Sequence, residues 1–257
     1  MELTADYHTH TPYSHGKGTV LENTLRAKEL GFKEIGITDH GFSHRQFAVR
    51  RKKIPDLIRD CREAEEQTGL RVYTGLENNI RGVSGKCDFT VEDYENFDLF
   101  LAGIHVYIHY DKASDWKIGW GGWICQKLKF KPSRSLVAET TKAYINAIKN
   151  NPIDILTHVG FRCFCDVVEV AKCCLDYGTY FELSGKKKHL TDEELEKVAA
   201  TGVRFVLDSD AHSVSRVGDH AFAEEQILRV GIPLDRIDNI DGRLPSFRFT
   251  EYKKKHC

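Results

Sequence analysis

Seven short, largely apolar runs alternate with amphipathic segments along this chain of 257 residues, and this alternation limits the folds open to it. Most of the runs have the length and the β-branched or aromatic content of a strand, and the fourth is apolar almost without interruption, as in strands buried on both faces. The predicted strands cover residues 5–8, 33–38, 71–76, 97–104, 153–157, 179–183 and 203–207. Strands that alternate with helices form parallel sheets, so the sequence predicts an α/β fold.

Helix signals fill most of the intervals between these strands. Thr19 and Glu22 form a capping-box pair before a helix that Gly31 ends, and 191–194 repeats the pattern later in the chain. Further helices are predicted at residues 55–69, 133–150, 166–177 and 222–230. The segment 106–132 contains all three tryptophans but no clean period. We predict that it is an inserted loop with at most one short helix, and a candidate lid.

Length and composition fit one domain with a single sizeable core. Hydrophobic residues make up 41% of the chain, and 37 Lys and Arg nearly balance 38 Asp and Glu. This balance gives no overall field that would draw the protein to nucleic acid or to a membrane. No run approaches the roughly 18 apolar residues of a membrane span, no secretory signal is visible, and the eight cysteines form no CxxC pair. We therefore expect a cytoplasmic, single-domain protein of residues 1–257 with reduced thiols.

Potential metal ligands recur where the predicted strands end. His8 and His10 are two residues apart on an extended run, so their imidazoles point the same way and can bind one ion. The full candidate set is His8, His10, His15, His40, Glu77, His105, His158, Asp210 and His212. All but His15 lie within about three residues of a strand end. Only a closed sheet brings so many strand ends around one centre, which favours a barrel over an open doubly wound sheet.

The donor types in this set indicate which metals they bind. Mixed imidazole and carboxylate donors suit zinc, iron or manganese, whereas calcium and magnesium prefer all-oxygen shells. Nine side chains are too many for one tetrahedral ion. A carboxylate such as Glu77 can bridge two metals that share a water. That water loses a proton near neutral pH and becomes a nucleophile, while the metals neutralise charge on a phosphoryl group.

The motifs around these residues resemble those of the polymerase and histidinol phosphatase (PHP) family. The matching segments are His8-Thr9-His10, Thr38-Asp39-His40-Gly41, Gly75-Leu76-Glu77, Gly103-Ile104-His105, Thr157-His158 and Ser209-Asp210-Ala211-His212. They follow the family's order across nearly the whole chain. The resemblance implies a distorted seven-stranded, TIM-like barrel with a trinuclear metal site that hydrolyses phosphoesters.

The resemblance also implies how the candidate ligands divide among three divalent ions of zinc, manganese or iron. It assigns one ion to His8, His10, Glu77 and Asp210, a second to Glu77, His105 and His158, and a third to His15, His40 and His212. Glu77 and Asp210 are then expected to act in catalysis through the metal-bound hydroxide. None of the nine positions is lost, which argues against a degenerate member of the family.

Several other polar residues are candidates for supporting roles. Asp39, next to a predicted ligand, either orients that imidazole or caps the following turn. Arg162, Lys186 and Arg216 follow strands or motifs on the same face and are candidates to bind phosphate, although surface solvation is the commoner fate of any one such residue. The stretch 182–188 departs from the family pattern, which leaves substrate recognition open.

Three functions follow from these observations. The first is hydrolysis of a small phosphomonoester, with histidinol phosphate as one candidate substrate. The second is a nuclease acting on nucleic-acid ends, because the basic Lys127–Lys131 stretch lies beside tryptophans; the near-neutral net charge argues against it. The third is an interaction protein with structural metals, which is disfavoured because such sites are usually closed four-ligand shells.

Overall fold

Residues 1–256 are described by a computed structural model, in which seven parallel strands form one sheet that curls into a nearly closed barrel. The strands pair in chain order, each with its successor. They are β1 (Ala5–Thr9), β2 (Glu34–His40), β3 (Arg71–Asn79), β4 (Leu99–Gly103), β5 (Ile155–Leu156), β6 (Tyr180–Ser184) and β7 (Phe205–Asp208). The predicted seven-stranded α/β barrel is confirmed.

Helices occupy the intervals between the strands, as the capping signals predict. They are α1 (Val20–Glu29), α2 (Ile54–Thr68), α3 (Gly122–Leu128), α4 (Arg134–Asn150), α5 (Val167–Tyr177), α6 (Asp192–Ala200), α7 (Ala221–Val230) and α8 (Arg248–His256). The capping box of Thr19 with Glu22 forms at the start of α1, and the box of Thr191 with Glu194 forms at the start of α6. These boxes fix where the two helices begin.

The strand boundaries differ from the prediction by a few residues. β3 continues to Asn79 because Asn78 and Asn79 keep their parallel pairing with Ala102 and Gly103 of β4. β5 is reduced to two residues that pair with both neighbours. The longer β3 brings the residues after Glu77 into the sheet, so the Glu77 side chain is held by a rigid strand and not by a loop.

The barrel closes between β7 and β1 through a short bridge and one buried side chain. Ala211, just after β7, accepts a hydrogen bond from the His10 N–H at 2.8 Å. Asn239 fills the rest of the gap: its Nδ2 donates to the carbonyls of Ala5 (2.9 Å) and Leu207 (2.7 Å), and its Oδ1 accepts from the Leu207 N–H (2.8 Å). An amide side chain thus takes the place of strand pairing at the seam.

Side chains fill the barrel interior at the end opposite the candidate ligands. The Tyr7 ring packs edge-on against Phe247 with centroids 4.9 Å apart, and against Tyr73 at 6.0 Å. The buried members of this cluster are Ala5, Tyr7, Leu99, Leu101, Ile155, Tyr180, Val206 and Phe247. A larger core lies between the sheet and the helices. Burial on both faces explains why the strands are so apolar.

The segment from 106 to 132 is more ordered than the inserted loop that we predicted. It forms a short 3₁₀ turn at Ala113–Asp115, then a π-helical stretch at Lys117–Gly121 that runs directly into α3. A Cβ atom on Gly122 would lie only 2.5 Å from the backbone oxygen of Arg162. The glycines that interrupt the sequence pattern therefore permit close packing of α3, and this is why periodicity alone did not reveal the helix.

The C-terminal tail packs across the bottom of the barrel as α8. Phe249 is fully buried there. The carboxylate of Asp154 accepts from the backbone N–H of Phe249 at 2.7 Å and from that of Phe100 at 2.9 Å. Burial raises the pKa of Asp154 to about 7. This side chain joins α8 to β4.

Two further findings bear on the expectations from composition. None of the seven cysteines in the described part of the chain forms a disulfide, while Cys257 lies outside it. Among residues 1–256, no helix has the length and apolar character that crossing a membrane requires.

Candidate metal centre

All nine predicted ligands converge at the end of the barrel where the strands finish. His8 lies within β1, His40 ends β2 and Glu77 lies in β3. The others lie in the segments that follow β1, β4, β5 and β7. A cavity of about 270 Å³ opens onto this cluster. Carboxyl ends of barrel strands are where α/β barrels place their functional groups.

Glu77 stands at the centre of the cluster with imidazoles around both of its oxygens. Its Oε1 lies 2.5 Å from Nε2 of His158, 3.2 Å from Nε2 of His105 and 3.4 Å from Nε2 of His8. Its Oε2 lies 2.9 Å from Nδ1 of His40. A carboxylate so surrounded can contribute one oxygen to each of two ions.

Asp210 forms a second centre beside the first. Its Oδ1 lies 3.2 Å from Nε2 of His10, 3.4 Å from Nδ1 of His212 and 3.8 Å from Nε2 of His8. Its Oδ2 accepts from Nζ of Lys186 at 2.8 Å. His8 and His10 bring their Nε2 atoms within 3.2 Å of each other, as expected for alternate residues of a strand.

Three compact donor triads can be distinguished within this cluster, each with its ligand atoms within 4.8 Å of one another. They are His8, His10 and Asp210; His40, Glu77 and His105; and His10, His40 and His212. The first triad is part of the ligand set that the family resemblance implies for one ion. The second contains His40 where the implied set has His158, and the third contains His10 where the implied set has His15. His15 is close to the third triad, since its ring centroid is 4.8 Å from that of His40 and 4.3 Å from that of His212.

The electrostatics of the cluster favour metal binding. Burial by itself raises the pKa of Glu77, but the imidazoles of His105, His8 and His158 hold it well below its usual range. Burial, together with the neighbouring His40, lowers the pKa of His10 well below its usual range. Burial by itself lowers the pKa of His8 and His158, but the carboxylates of Glu77 and Glu182 outweigh it and raise the pKa of both. Metals bind deprotonated carboxylates and neutral imidazoles, so an ion in this cluster would take the place of the protons on these two rings.

The ring nitrogens that face the two carboxylates are placed to bind metal. Nε2 of His10, His105 and His158 each lies within 3.2 Å of an oxygen of Asp210 or Glu77. Three triads of imidazole and carboxylate groups therefore bring their ligand atoms close enough together to share an ion. The donor types are those that zinc, iron and manganese prefer. The residues present therefore fit a site for divalent transition metals.

Backbone strain is concentrated at the same place. His158, Arg162 and Asp210 have φ angles of 31°, 56° and 49°, in the left-handed region that favours glycine. Residues held in such conformations cluster at active sites, because the surrounding structure must overcome the cost. The strain fixes the directions in which these three side chains point.

Asp39 does neither of the things proposed for it from the sequence. Its oxygens accept from the backbone N–H of Thr11 at 2.8 Å, from the Thr11 hydroxyl at 2.5 Å and from the Ser14 hydroxyl, and none contacts His40. Burial raises the pKa of Asp39 to about 6. Asp39 therefore organises the turn that carries His15, which the sequence could not show because the two segments are distant along the chain.

Glu182 is a supporting residue that the sequence analysis missed. Its Oε1 accepts from Nδ1 of His8 at 2.6 Å, and its Oε2 accepts from the backbone N–H of His158 at 2.6 Å. With the proton held on Nδ1, the Nε2 lone pair of His8 faces Glu77 and Asp210. A charged residue inside the apolar run of β6 was the available signal.

His44 and His189 also line the cavity and were not singled out from the sequence. Nδ1 of His44 accepts from the backbone N–H groups of Phe47 (3.1 Å) and Gln46 (3.4 Å), so the proton resides on Nε2. Burial, with His40 adding to it, lowers the pKa of His44 to about 3. Its ring stacks 4.8 Å from that of His40. His44 thus presents a neutral N–H donor beside the cluster.

The three predicted phosphate-binding residues differ in their placement. Arg162 and Lys186 line the cavity. Lys186 contacts the cluster directly, at 2.8 Å from Asp210 and 3.2 Å from His212. Arg216 instead forms an ion pair with Asp219 and lies outside the cavity lining, so its predicted role has no geometric support.

The sequence model of the PHP domain matches residues 6–183, which is more than half of the chain and includes seven of the nine candidate ligands. The chain belongs to the PHP domain family. It is similar to a "Probable phosphatase" of Thermoanaerobacter sp. strain X514, with 28% identity over 99% of this chain and 98% of the relative. A "Probable phosphatase" of Vibrio parahaemolyticus has 26% identity over 92% and 89%.

Solved structures agree with the fold. A histidinol phosphate phosphatase from Lactococcus lactis, complexed with zinc, L-histidinol and phosphate, superimposes with a TM-score of 0.59. The match covers 96% of this chain and 97% of that one, at 13% sequence identity. At this identity the likeness concerns the barrel alone.

Proposed function

We propose that this member of the PHP domain family hydrolyses a small phosphomonoester at a centre of three divalent metal ions. Its enzyme class is hydrolase acting on ester bonds, that of the phosphatases to which it is similar along nearly its whole length. The observation that carries the proposal is the position of Glu77, whose two oxygens lie among four imidazoles at the base of an open cavity.

The proposed ligands are the nine residues that meet at the barrel end. They are His8, His10, His15, His40, Glu77, His105, His158, Asp210 and His212. Zinc, manganese and iron all suit these donors. When bound, the ions supply an activated water and offset the negative charge of the phosphoryl group.

The protein's own cations and donors orient the substrate. Lys186 is held beside Asp210 and His212, so a phosphate that enters next to Asp210 meets a positioned ammonium. The Nε2–H of His44 offers a second, neutral donor to a phosphate oxygen. Arg162 lines the same cavity and adds positive charge at its wall. These groups attract a dianionic phosphomonoester and fix its orientation.

The nuclease alternative lacks support from the position of its basic segment. Lys127, Lys129 and Lys131 do not line the cavity above the ligand cluster. Lys127 instead lies over the Trp123 ring at 4.7 Å. Labelled single-stranded DNA at low salt tests this alternative, and we expect no binding that competes with a phosphomonoester.

The main proposal is tested with 4-nitrophenyl phosphate and protein loaded with manganese, zinc or iron. We expect Glu77→Gln to lower kcat/KM by at least about a thousandfold, because several kcal/mol of charge stabilisation depend on the ions it helps to hold. Glu169→Gln, on the exposed side of α5, is the matched control and should behave as wild type. Hydrolysis that persists in Glu77→Gln, or in the presence of a chelator, would refute the proposal.

A further inference from the structure

The wall of the metal-centre cavity carries three cationic side chains, two of which no carboxylate balances. Arg162, Lys186 and Lys187 line it. The acidic residues among the described lining are Glu77 and Asp210, and both belong to the ligand cluster. Lys186 is paired with Asp210. Arg162 and Lys187 have no ion-pair partner within residues 1–256, so their charge is available to a ligand.

Phe161 holds these two cations in place without neutralising them. The guanidinium carbon of Arg162 lies 4.8 Å from the Phe161 ring centroid, and Nζ of Lys187 lies 5.2 Å from the same centroid. Cation–π contacts position a charge while leaving its hydrogen-bond donors free. Phe161 itself lines the cavity, so both cations flank the path of a bound substrate.

The loop that carries Arg162 is built to hold this arrangement. Arg162 has a φ of 56°, a conformation that costs energy for any residue with a side chain. Its backbone oxygen packs against Gly122, where a Cβ would come within 2.5 Å. Nε2 of Gln126 donates to the carbonyl of Gly160 at 3.1 Å. Helix α3 therefore packs against this loop and holds it in place.

The remaining polar groups of the wall are uncharged donors or acceptors. Both ring nitrogens of His189 are buried without a hydrogen-bond partner in the described chain, and the ring lies 5.2 Å from Phe161. The His44 proton is fixed on Nε2 by two backbone N–H groups. A substrate amine placed here would face the cations Arg162 and Lys187. No carboxylate would be available to pair with it, because both carboxylates of the described lining belong to the ligand cluster. An ammonium group is thus disfavoured and an anion favoured.

We infer that the alcohol released by this enzyme carries a second anionic group, a carboxylate or another phosphate, which Arg162 and Lys187 bind. The inference rests on the proposed phosphatase function and refines it. It disfavours histidinol phosphate, whose alcohol carries an ammonium group. The aromatic rings of Phe47, Tyr107 and Phe161 in the lining further favour a flat scaffold between the two anionic groups.

The experiment compares three phosphomonoesters of similar size whose para substituents are anionic, neutral and cationic. The probes are 4-carboxyphenyl phosphate, 4-carbamoylphenyl phosphate and 4-(aminomethyl)phenyl phosphate, and released phosphate gives kcat/KM for each. We expect the carboxylate probe to be the best substrate and the ammonium probe the poorest. Arg162→Gln should reduce the ratio of carboxylate to ammonium probe by about tenfold, equivalent to about 1.4 kcal/mol. Lys187→Gln, at an exposed position, should reduce it by about threefold.

Controls separate this inference from other causes. Lys188→Gln is the matched control, because Lys188 is exposed, pairs with Asp192 and does not line the cavity. The probes have leaving groups of different basicity, but every variant is tested with the same probes. This difference therefore cancels when the carboxylate-to-ammonium ratio of a variant is compared with that of the wild type. Partial unfolding of a variant lowers both rates equally and cancels as well. An ammonium probe that is hydrolysed as well as the carboxylate probe would overturn the inference while leaving the phosphatase function intact. So would a ratio that neither Arg162→Gln nor Lys187→Gln changes. Failure to hydrolyse any probe would overturn the proposed function and this inference with it.

Discussion

Replacing Glu182 by glutamine should weaken metal binding without removing any proposed ligand. In the wild-type protein the two oxygens of Glu182 accept from Nδ1 of His8 and from the backbone N–H of His158, each at 2.6 Å. A glutamine has one oxygen and one amino group in their place. If its oxygen faces the His158 N–H, its amino group faces Nδ1 of His8 and drives the imidazole proton to Nε2, where it blocks the lone pair.

The opposite orientation of the amide is also costly. Its amino group would then face the His158 N–H, which places two donors against each other in a buried site. Changes to the partners of metal-binding histidines typically weaken metal affinity 10- to 100-fold, or by about 1.4 to 2.8 kcal/mol. Glu182 contacts two residues of the cluster, so we expect a loss near the upper end of this range.

The assay is competition for zinc or manganese against a chromogenic chelator, with circular dichroism to verify that the variant folds. Glu194→Gln serves as the control, because Glu194 is half-buried and its hydrogen bonds are confined to the capping box of α6. Wild-type metal affinity in a folded Glu182→Gln protein would refute the reasoning about the His8 tautomer.

Three further predictions concern stability and specificity. Asn239→Ala leaves the Leu207 N–H and the carbonyls of Ala5 and Leu207 unpaired at the barrel seam. It should therefore lower the free energy of unfolding, measured in urea, by about 3 kcal/mol. A loss below about 1 kcal/mol would contradict this role for Asn239. Burial raises the pKa of Asp154 to about 7, so its contribution to stability is complete below about pH 4 and is lost as pH rises through 7. In urea unfolding of the chelator-treated wild type, this group should therefore lower the free energy of unfolding by roughly 3 kcal/mol between pH 5 and pH 8. Asp154→Asn should remove this part of the decrease, and a variant with the same pH dependence as the wild type would contradict the prediction. Lys186→Gln should raise KM for 4-nitrophenyl phosphate about tenfold, whereas Lys188→Gln should not; equal values would exclude Lys186 from phosphate binding.

Much of the architecture could be predicted from the sequence because its signals are local. The apolar runs and the capping boxes at Thr19 and Thr191 determine where strands and helices form, and those signals need no knowledge of distant residues. The barrel followed from the placement of potential ligands at many strand ends. The prediction allowed for a short helix within 106–132 but could not place it, because the glycines of this segment serve tertiary packing and leave no periodic pattern.

The candidate site likewise contains residues that could be predicted from the sequence and residues that could not. Eight of the nine proposed ligands could be selected from the sequence because each is a metal-binding residue type near a strand end. The family resemblance implied a ligand role for His15, and the structure brings all nine together. Their assignment to individual ions stays a prediction. The one sequence signal for Glu182 was a charge inside an apolar run, and its partners His8 and His158 lie far away in the chain. The places of His44 and His189 beside the cluster depend on contacts with His105 and His158, which are also distant in sequence. The hydrogen-bond partners of Asp39 could not be predicted for the same reason, since its partner turn is 28 residues away.

The metal content of the purified protein tests the central claim most directly. Elemental analysis by mass spectrometry, on protein whose hydrolytic activity has been measured in the same preparation, counts the ions bound to each chain. The proposed centre predicts close to three transition-metal ions per active chain, and a clear loss in Glu77→Gln, whose oxygens lie among four imidazoles. Active protein that contains no zinc, manganese or iron would contradict it.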